Sequence, residues 1–168
     1  FFLGSINAEL MLVEGLNMNF RGGYNFQSQE RISFIPTTTP VGSWYGGIGD
    51  HQFYDRRSFV FENFLNYKKT FGDNMNLDAT LGYSLEQDRL QTKGQYGQSY
   101  NFDAQGIYGW AQLKTPGPMG IGESQRQLAS IYGRLFFNVS DKYLFTFTAR
   151  QDGSSVFAEN NKSAFFPS

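Results

Sequence analysis

Residues 77–85, Leu-Asp-Ala-Thr-Leu-Gly-Tyr-Ser-Leu, place an apolar side chain at every odd position and a polar residue or glycine at every even one. A period of two is the signature of a β-strand. It gives the strand one apolar and one wet face, and a slip of one residue would exchange them. Two opposite architectures satisfy it. A soluble sandwich turns the apolar face inward, and a membrane barrel turns it outward to lipid.

The pattern recurs along the chain. Leu16, Met18, Phe20, Tyr24 and Phe26 alternate with Asn17, Asn19, Arg21 and Asn25. Phe59, Phe61, Leu65, Tyr67 and Phe71 share one face of 57–71, interrupted by Asn63 and Lys69. Ser58, Glu62, Asn66, Lys68 and Thr70 share the other, with Val60 and Phe64 as exceptions. Ile131, Leu135, Phe137 and Val139 form another apolar stripe, and so do Tyr143, Phe145, Phe147 and Ala149. Strands are expected at about 6–13, 16–30, 53–71, 75–93, 126–139 and 143–151. Glu14-Gly15, Gly72-Asp73-Asn74 and Ser140-Asp141-Lys142 read as tight turns.

The remaining connections, 31–52, 94–125 and 152–168, are long and rich in Gly, Pro, Thr, Gln and aromatic residues. Short and long connections alternate, which puts all the short turns at one end of an antiparallel sheet. Compact soluble domains rarely carry loops beyond about 12–15 residues. Outer-membrane barrels pair short periplasmic turns with long extracellular loops. Segments 16–30 and 75–93 also exceed the roughly 9–11 residues that cross a bilayer.

Composition supports an all-β chain without choosing between the two architectures. Aromatic residues make up 18%, with Phe 18, Tyr 10 and Gly 19, and no amphipathic helical stripe is evident. The apolar faces carry large aromatics rather than the Val and Ile of sandwich cores. The polar faces carry Asn, Ser, Thr and Asp and are poorer in Lys and Glu than sandwich exteriors usually are. Both traits suit a barrel with a wet lumen and aromatic girdles. A mean hydropathy of −0.43 does not argue against a barrel, because alternating strands average to near neutral. The longest apolar run is Leu10-Met11-Leu12-Val13, far short of a spanning helix. Net charge is −1, so no basic excess points to nucleic acid, and the absence of cysteine removes disulfides and thiolate metal sites. The opening Phe1-Phe2-Leu3-Gly4-Ser5, with no Met and no basic leader, reads as the interior of a longer protein.

Few residues suggest chemistry. His51, in Gly49-Asp50-His51-Gln52, has no second ligand at a metal-site spacing and reads as a solvated loop histidine. Glu62, Glu86, Asp78 and Asp88 could supply the two carboxylates of a glycosidase, but hydration of a lumen face explains them as well. Gly117–Gly122 lacks the Lys-Ser/Thr of a phosphate loop, and Pro116 and Pro118 suit a loop there. Asp152-Gly153-Ser154-Ser155 reads as a structural turn in which Asp152 caps backbone N–H groups. Trp44, Tyr45, Tyr96, Tyr100, Tyr108 and Trp110 fall in the long connections, where exposed rings can stack on sugars or on a partner protein. No cofactor, metal or catalytic residue is expected.

Toward the C-terminal end a set of short motifs occurs in order: Tyr132-Gly133-Arg134-Leu135, Asp141-Lys142-Tyr143-Leu144, Asp152-Gly153-Ser154-Ser155-Val156-Phe157, Asn160-Asn161-Lys162 and Phe166-Pro167-Ser168. In this combination, and with the upstream Glu14-Gly15-Leu16 turn, the chain resembles the SusC/RagA family of TonB-dependent outer-membrane transporters of the Bacteroidetes type. Val156 stands where that family usually has a basic residue, and Ser163-Ala164 where Trp-Gly is common. The resemblance implies an antiparallel up-and-down transmembrane β-barrel, of which this chain supplies about six strands; plugged transporters use about 22. The plug domain, the TonB-contacting segment and the closing strand are expected outside this stretch. The implied partners are a SusD-like surface lipoprotein, the TonB complex, the lipid and lipopolysaccharide of the outer membrane, and a glycan or peptide nutrient. On this reading Leu77, Ala79, Leu81, Tyr83, Leu85, Phe59, Phe61, Phe145 and Phe147 face lipid. The rival reading is a soluble carbohydrate-binding β-sandwich that uses the loop aromatics.

Overall fold

In the computed structural model the chain forms one seven-stranded sheet whose strands follow sequence order: β1 (Phe2–Val13), β2 (Leu16–Ile35), β3 (Ile48–Phe71), β4 (Met75–Gln98), β5 (Thr115–Val139), β6 (Tyr143–Ser154) and β7 (Ser163–Pro167). The structure describes residues 1–72, 74–100, 103–112, 114–156 and 163–168. Asp73 of the second turn, and Phe157, Asn160, Asn161 and Lys162 of the terminal motif, lie outside the described residues. The arrangement is antiparallel and up-and-down. A sandwich needs two sheets packed face to face, so the soluble-sandwich expectation does not hold.

The strands run further than their alternation marks. β2 continues to Ile35, β3 begins at Ile48, β4 continues to Gln98 and β5 begins at Thr115. These extensions mix apolar residues, such as Ile32, Phe34, Met119 and Ile121, with glycine and proline at Gly49, Gly94, Gly97, Pro116 and Pro118. Glycine and proline read locally as loop formers, yet these positions belong to strands. Pro116 and Pro118 are strand residues, not loop residues. Pairing between β5 and β6 begins only at Leu128↔Ser154, so the start of β5 lacks that neighbour, and edge strands tolerate proline. β7, inside a stretch read as loop, pairs with β6 from Gly153↔Ser163 to Ala149↔Pro167.

One of the long connections also contains an α-helix, α1 (Pro40–Tyr45). Its signal is in its ends rather than in an amphipathic stripe. Thr39 caps it through a hydrogen bond from the Gly42 N–H (3.1 Å), Pro40 occupies the first turn, and Gly46 closes it at φ 67°. The 99–114 connection holds a 3₁₀ segment (Asp103–Gln112), kinked at Gly106.

The chain divides into two compact units. One comprises Phe1, Phe26–Arg56 and Arg89–Ser124; the other comprises Phe2–Asn25, Arg57–Asp88 and Gln125–Ser168. The second contains the three short turns. Gly15 has φ +79°, and its carbonyl accepts a 2.7 Å hydrogen bond from the Lys68 N–H. In the three-residue β5–β6 turn Ser140 and Asp141 both have positive φ, and the Lys142 N–H closes the turn on the Val139 carbonyl (3.1 Å). The Asn138 side chain both donates to the Asp141 carboxylate (2.7 Å) and accepts from its N–H (3.1 Å), which holds that conformation. The Ser140 N–H reaches the Asn74 carbonyl (2.6 Å), which ties this turn to the β3–β4 turn.

Candidate functional site

In the second unit the two faces of the sheet differ chemically, and burial is inverted relative to a soluble protein. Ser130 is 2% exposed, and Ser84 is also buried. Leu81 is 59% exposed and Phe147 58%. Register explains the segregation. Leu135↔Phe147 and Phe137↔Phe145 pair on one face, and Tyr132↔Arg150 and Ser130↔Asp152 on the other. The apolar face holds a hollow of about 510 Å³ lined by Leu65, Ala79, Leu81, Leu135 and Phe147 among others.

The polar face is a ladder of side-chain bonds across strands. Arg21 on β2 lies 3.5 Å from Glu62 on β3, with its guanidinium 4.8 Å above the Phe64 ring. Tyr132 on β5 reaches across Gly82 of β4 and donates to Glu62 at 2.7 Å. Asn66 donates to Asp78 (2.9 Å) and Thr80 (3.1 Å), and Ser58 donates to Asp88 (2.6 Å). On β6, Arg150 donates to Asp152 (2.6 Å) and to Ser130 (3.1 Å). Of the four carboxylates weighed as a glycosidase pair, Glu62, Asp78 and Asp88 are thus engaged in structural bonds. Among the described residues, no three of His, Asp and Glu gather as metal ligands.

Asp152-Gly153-Ser154-Ser155 is not a turn. Asp152, Gly153 and Ser154 belong to β6 and pair with β5, and Asp152 binds the Arg150 and Ser130 side chains rather than capping backbone N–H groups. Strand pairing on both sides left no room for a turn there. The chain leaves the sheet only at Ser155, whose N–H and side-chain oxygen bond the Gln127 carbonyl and N–H (3.0 and 2.9 Å).

In the first unit the six loop aromatics do not converge. Trp44 (79% exposed) and Tyr108 (89%) project freely, and Tyr45 and Tyr96 are also exposed. Tyr96, on β4 rather than in a loop, helps line a hollow of about 500 Å³ with Asp50, Gln52, Gln95 and Pro118. Tyr100 is instead the core of this unit, 8% exposed. It lies edge-on to Phe34 (4.7 Å between centroids) and against Gly49, and its N–H donates to the Gly46 carbonyl (2.8 Å). Beside it the Thr37 N–H donates to Asp103 (2.9 Å). His51, read from sequence as a solvated loop residue, lies within β3. It bonds Glu30 on β2, and its ring packs on Phe53 and Trp110. Sequence could not show this, because Glu30 and Trp110 are distant in the chain.

Burial pushes the Tyr100 phenol above its ordinary value, and its oxygen has no hydrogen-bond partner. The folded state therefore favours the neutral phenol. Its contribution is complete below the unfolded value of about 10 and is lost as pH rises above that. Tyr100→Phe should leave stability within about 1 kcal/mol at neutral pH and remove the alkaline loss. Tyr100→Ala should cost about 3–5 kcal/mol through the cavity it leaves. Hydrogen exchange of residues 99–112 in the full-length protein, at neutral and alkaline pH, measures both.

Comparison with known proteins gives a consistent picture. No family model matches the chain. It is 33% identical over 161 residues, 93% of its length, to TonB-dependent receptor P3 of Formosa agariphila, and 31% identical over 169 residues, 99% of its length, to TonB-dependent receptor SusC of Bacteroides thetaiotaomicron. In each case it spans 16% of the relative. A solved structure described as the RagAB peptide transporter superposes on 97% of the chain with a TM-score of 0.83 at 21% identity, the chain covering 18% of it. The inverted faces, the strand order and these likenesses agree: the chain belongs to the SusC/RagA family of TonB-dependent outer-membrane transporters, as a stretch of their β-barrel.

Proposed function

We propose that the full-length protein is an outer-membrane importer that takes up glycan or peptide nutrients, is energised through TonB and works with a SusD-like surface lipoprotein. The observation that carries this reading is the inverted burial, with Leu81, Phe145 and Phe147 exposed while Ser84 and Ser130 are buried. Exposing these large apolar side chains to water would cost roughly 1.5–3 kcal/mol each, a cost that lipid removes. Leu77, Ala79, Tyr83, Leu85, Phe59 and Phe61 lie on the same stripe and meet the acyl chains of phospholipid or lipopolysaccharide. The hydrogen-bonded ladder lines the wet interior. Trp44, Tyr45, Tyr96 and Tyr108 are the loop aromatics free to meet substrate or lid. The likeness to a RagAB peptide transporter motivates the peptide class, and the glycan class is what the family resemblance implies.

Two measurements test this. Fractionation should recover the full-length protein in the outer membrane, and a soluble periplasmic pool would overturn the reading. Leu81→Arg should reduce the folded barrel by about 2–4 kcal/mol. Thr80→Arg, on the polar face, should cost well under half of that. Equal losses would contradict the assignment of faces.

A further inference from the structure

We propose that the hollow beside Tyr96 is a subsite for one ring of a neutral sugar, with Asp50 and Gln52 of β3 bonding its hydroxyls, Tyr96 of β4 against its face and glycines of β4 and β5 as its floor. The hollow measures about 500 Å³, within the range of small-ligand sites. Alternation places Asp50, Gln52 and Tyr54 on one face of β3, Gly94 and Tyr96 on the matching face of β4, and Gly120 and Gly122 on that of β5. Glycine weakens a strand interior and often marks a close approach to the backbone. At Gly122 and Gly94 the approaching group is protein: a Cβ would lie 2.7 Å from Thr92 Oγ1 and 3.1 Å from Gln52 Cγ. Gly120 has no such neighbour. Among the described residues, a Cβ there would meet nothing nearer than the Gly94 carbonyl oxygen, at 3.7 Å. Its φ is not positive either. Neither packing nor conformation therefore requires glycine at 120, and the room it leaves is open to a ligand.

The groups around this floor match a sugar. The Gln52 amide oxygen accepts from the Tyr54 hydroxyl, which leaves its amide N–H groups to donate. Asp50, two residues away on the same face, supplies a carboxylate that only accepts. Among the described residues, no hydrogen bond or ion pair engages it. Sugar hydroxyls both donate and accept, so one ring satisfies both side chains. The Tyr96 ring, 50% exposed, rests against Gly117, where a Cβ would lie 2.8 Å from its Cε1. The rest of its surface is free to pack on the C–H face of a pyranose. An extended peptide fits less well. It is held chiefly through an unpaired strand edge, and β4, in the middle of the floor, is paired with β3 and β5. Among the described residues, Asp50 and Lys93 are the charged ones that line the hollow. Alternation turns Lys93 to the other face of β4, where it joins Phe53, Trp110 and Met119. Asp50 therefore sets the charge of this face, and it disfavours uronate and sulfate groups. This site rests on the importer reading and narrows its substrate to uncharged carbohydrate.

Calorimetric titration of the full-length protein in detergent tests the subsite. The probes are hexasaccharides of α-glucan, β-glucan, mannan and galactan, hexamers of mannuronate and galacturonate, and a tryptic digest of casein. A neutral hexasaccharide should bind about tenfold or more tightly than either uronate. Gly120→Leu fills the floor without meeting a protein atom at its Cβ. It should weaken that binding about tenfold or more and leave the folded species that resists SDS until heated unchanged. Asp50→Ala should weaken it about tenfold or more through the lost hydrogen bond to a charged group, and it carries the test if Gly120→Leu fails to assemble. The proposal is overturned if no neutral hexasaccharide binds, if the uronates bind equally well, or if either variant keeps wild-type affinity. Binding of the casein peptides alone overturns it as well, while leaving the importer reading intact. That reading fails separately, on fractionation.

Discussion

Gly82→Val should destabilise the full-length barrel by about 3–5 kcal/mol and strongly reduce the folded species that resists SDS until heated. Tyr132 lies directly over Gly82. A Cβ at that position would sit 2.5 Å from Tyr132 Cζ, 2.6 Å from its hydroxyl and 2.8 Å from Phe64 Cβ. The ring cannot move aside cheaply, because its hydroxyl is held by Glu62, itself held by Arg21. Overpacking alone costs about 1–3 kcal/mol. Displacing the ring also breaks a hydrogen bond to a charged group, about 1.5–3 kcal/mol more. A double-mutant cycle isolates the mechanism: Tyr132→Ala should relieve most of the penalty of Gly82→Val, giving a favourable coupling of about 1–3 kcal/mol. Simple additivity would show that the ring–glycine contact is not the cause.

Gly15→Ala should cost about 3 kcal/mol or more, although it adds one methyl group to a surface turn. Two constraints meet at this residue. At φ +79° an L side chain is strained by roughly 1–2 kcal/mol. The added Cβ would also overlap the Lys68 carbonyl oxygen, a backbone atom that cannot swing away, next to the hydrogen bond between the Lys68 N–H and the Gly15 carbonyl. Glu14→Ala, one residue earlier in the exposed turn, should change stability by less than about 0.5 kcal/mol. The comparison is made by guanidinium unfolding of the full-length protein refolded into vesicles. Similar effects at both positions would show that the turn is not constrained as described.

Gly15 could be read in the sequence as a turn residue, but its contact with Lys68 could not, because two residues so far apart meet only once the strands are in register. The same holds for Gly82. Its place on the even face of 77–85 is plain from the alternation, whereas its role as the floor under Tyr132 depends on the alignment of β4 with β5. Helix α1 was missed, because 31–52 reads as a long loop and no amphipathic stripe marks it; the types at its ends, Thr39-Pro40 and Gly46, are the signal that could have found it. Asp152-Gly153-Ser154 misled for the opposite reason. Its residues favour turns locally, yet pairing with β5 and β7 satisfies their backbone groups and draws them into the sheet.

By itself, the sequence determined that this chain forms strands, where the short turns fall and which side chains share a face, because a period of two and φ-permissive turn residues act over a few neighbouring positions. Only the tertiary structure decided how the polar face is wired, that Tyr100 is a core residue while Trp44 and Tyr108 are free, and that His51 joins Glu30 to Trp110. Those outcomes depend on strand register and on where the long connections settle, which are set by contacts between residues far apart in the chain.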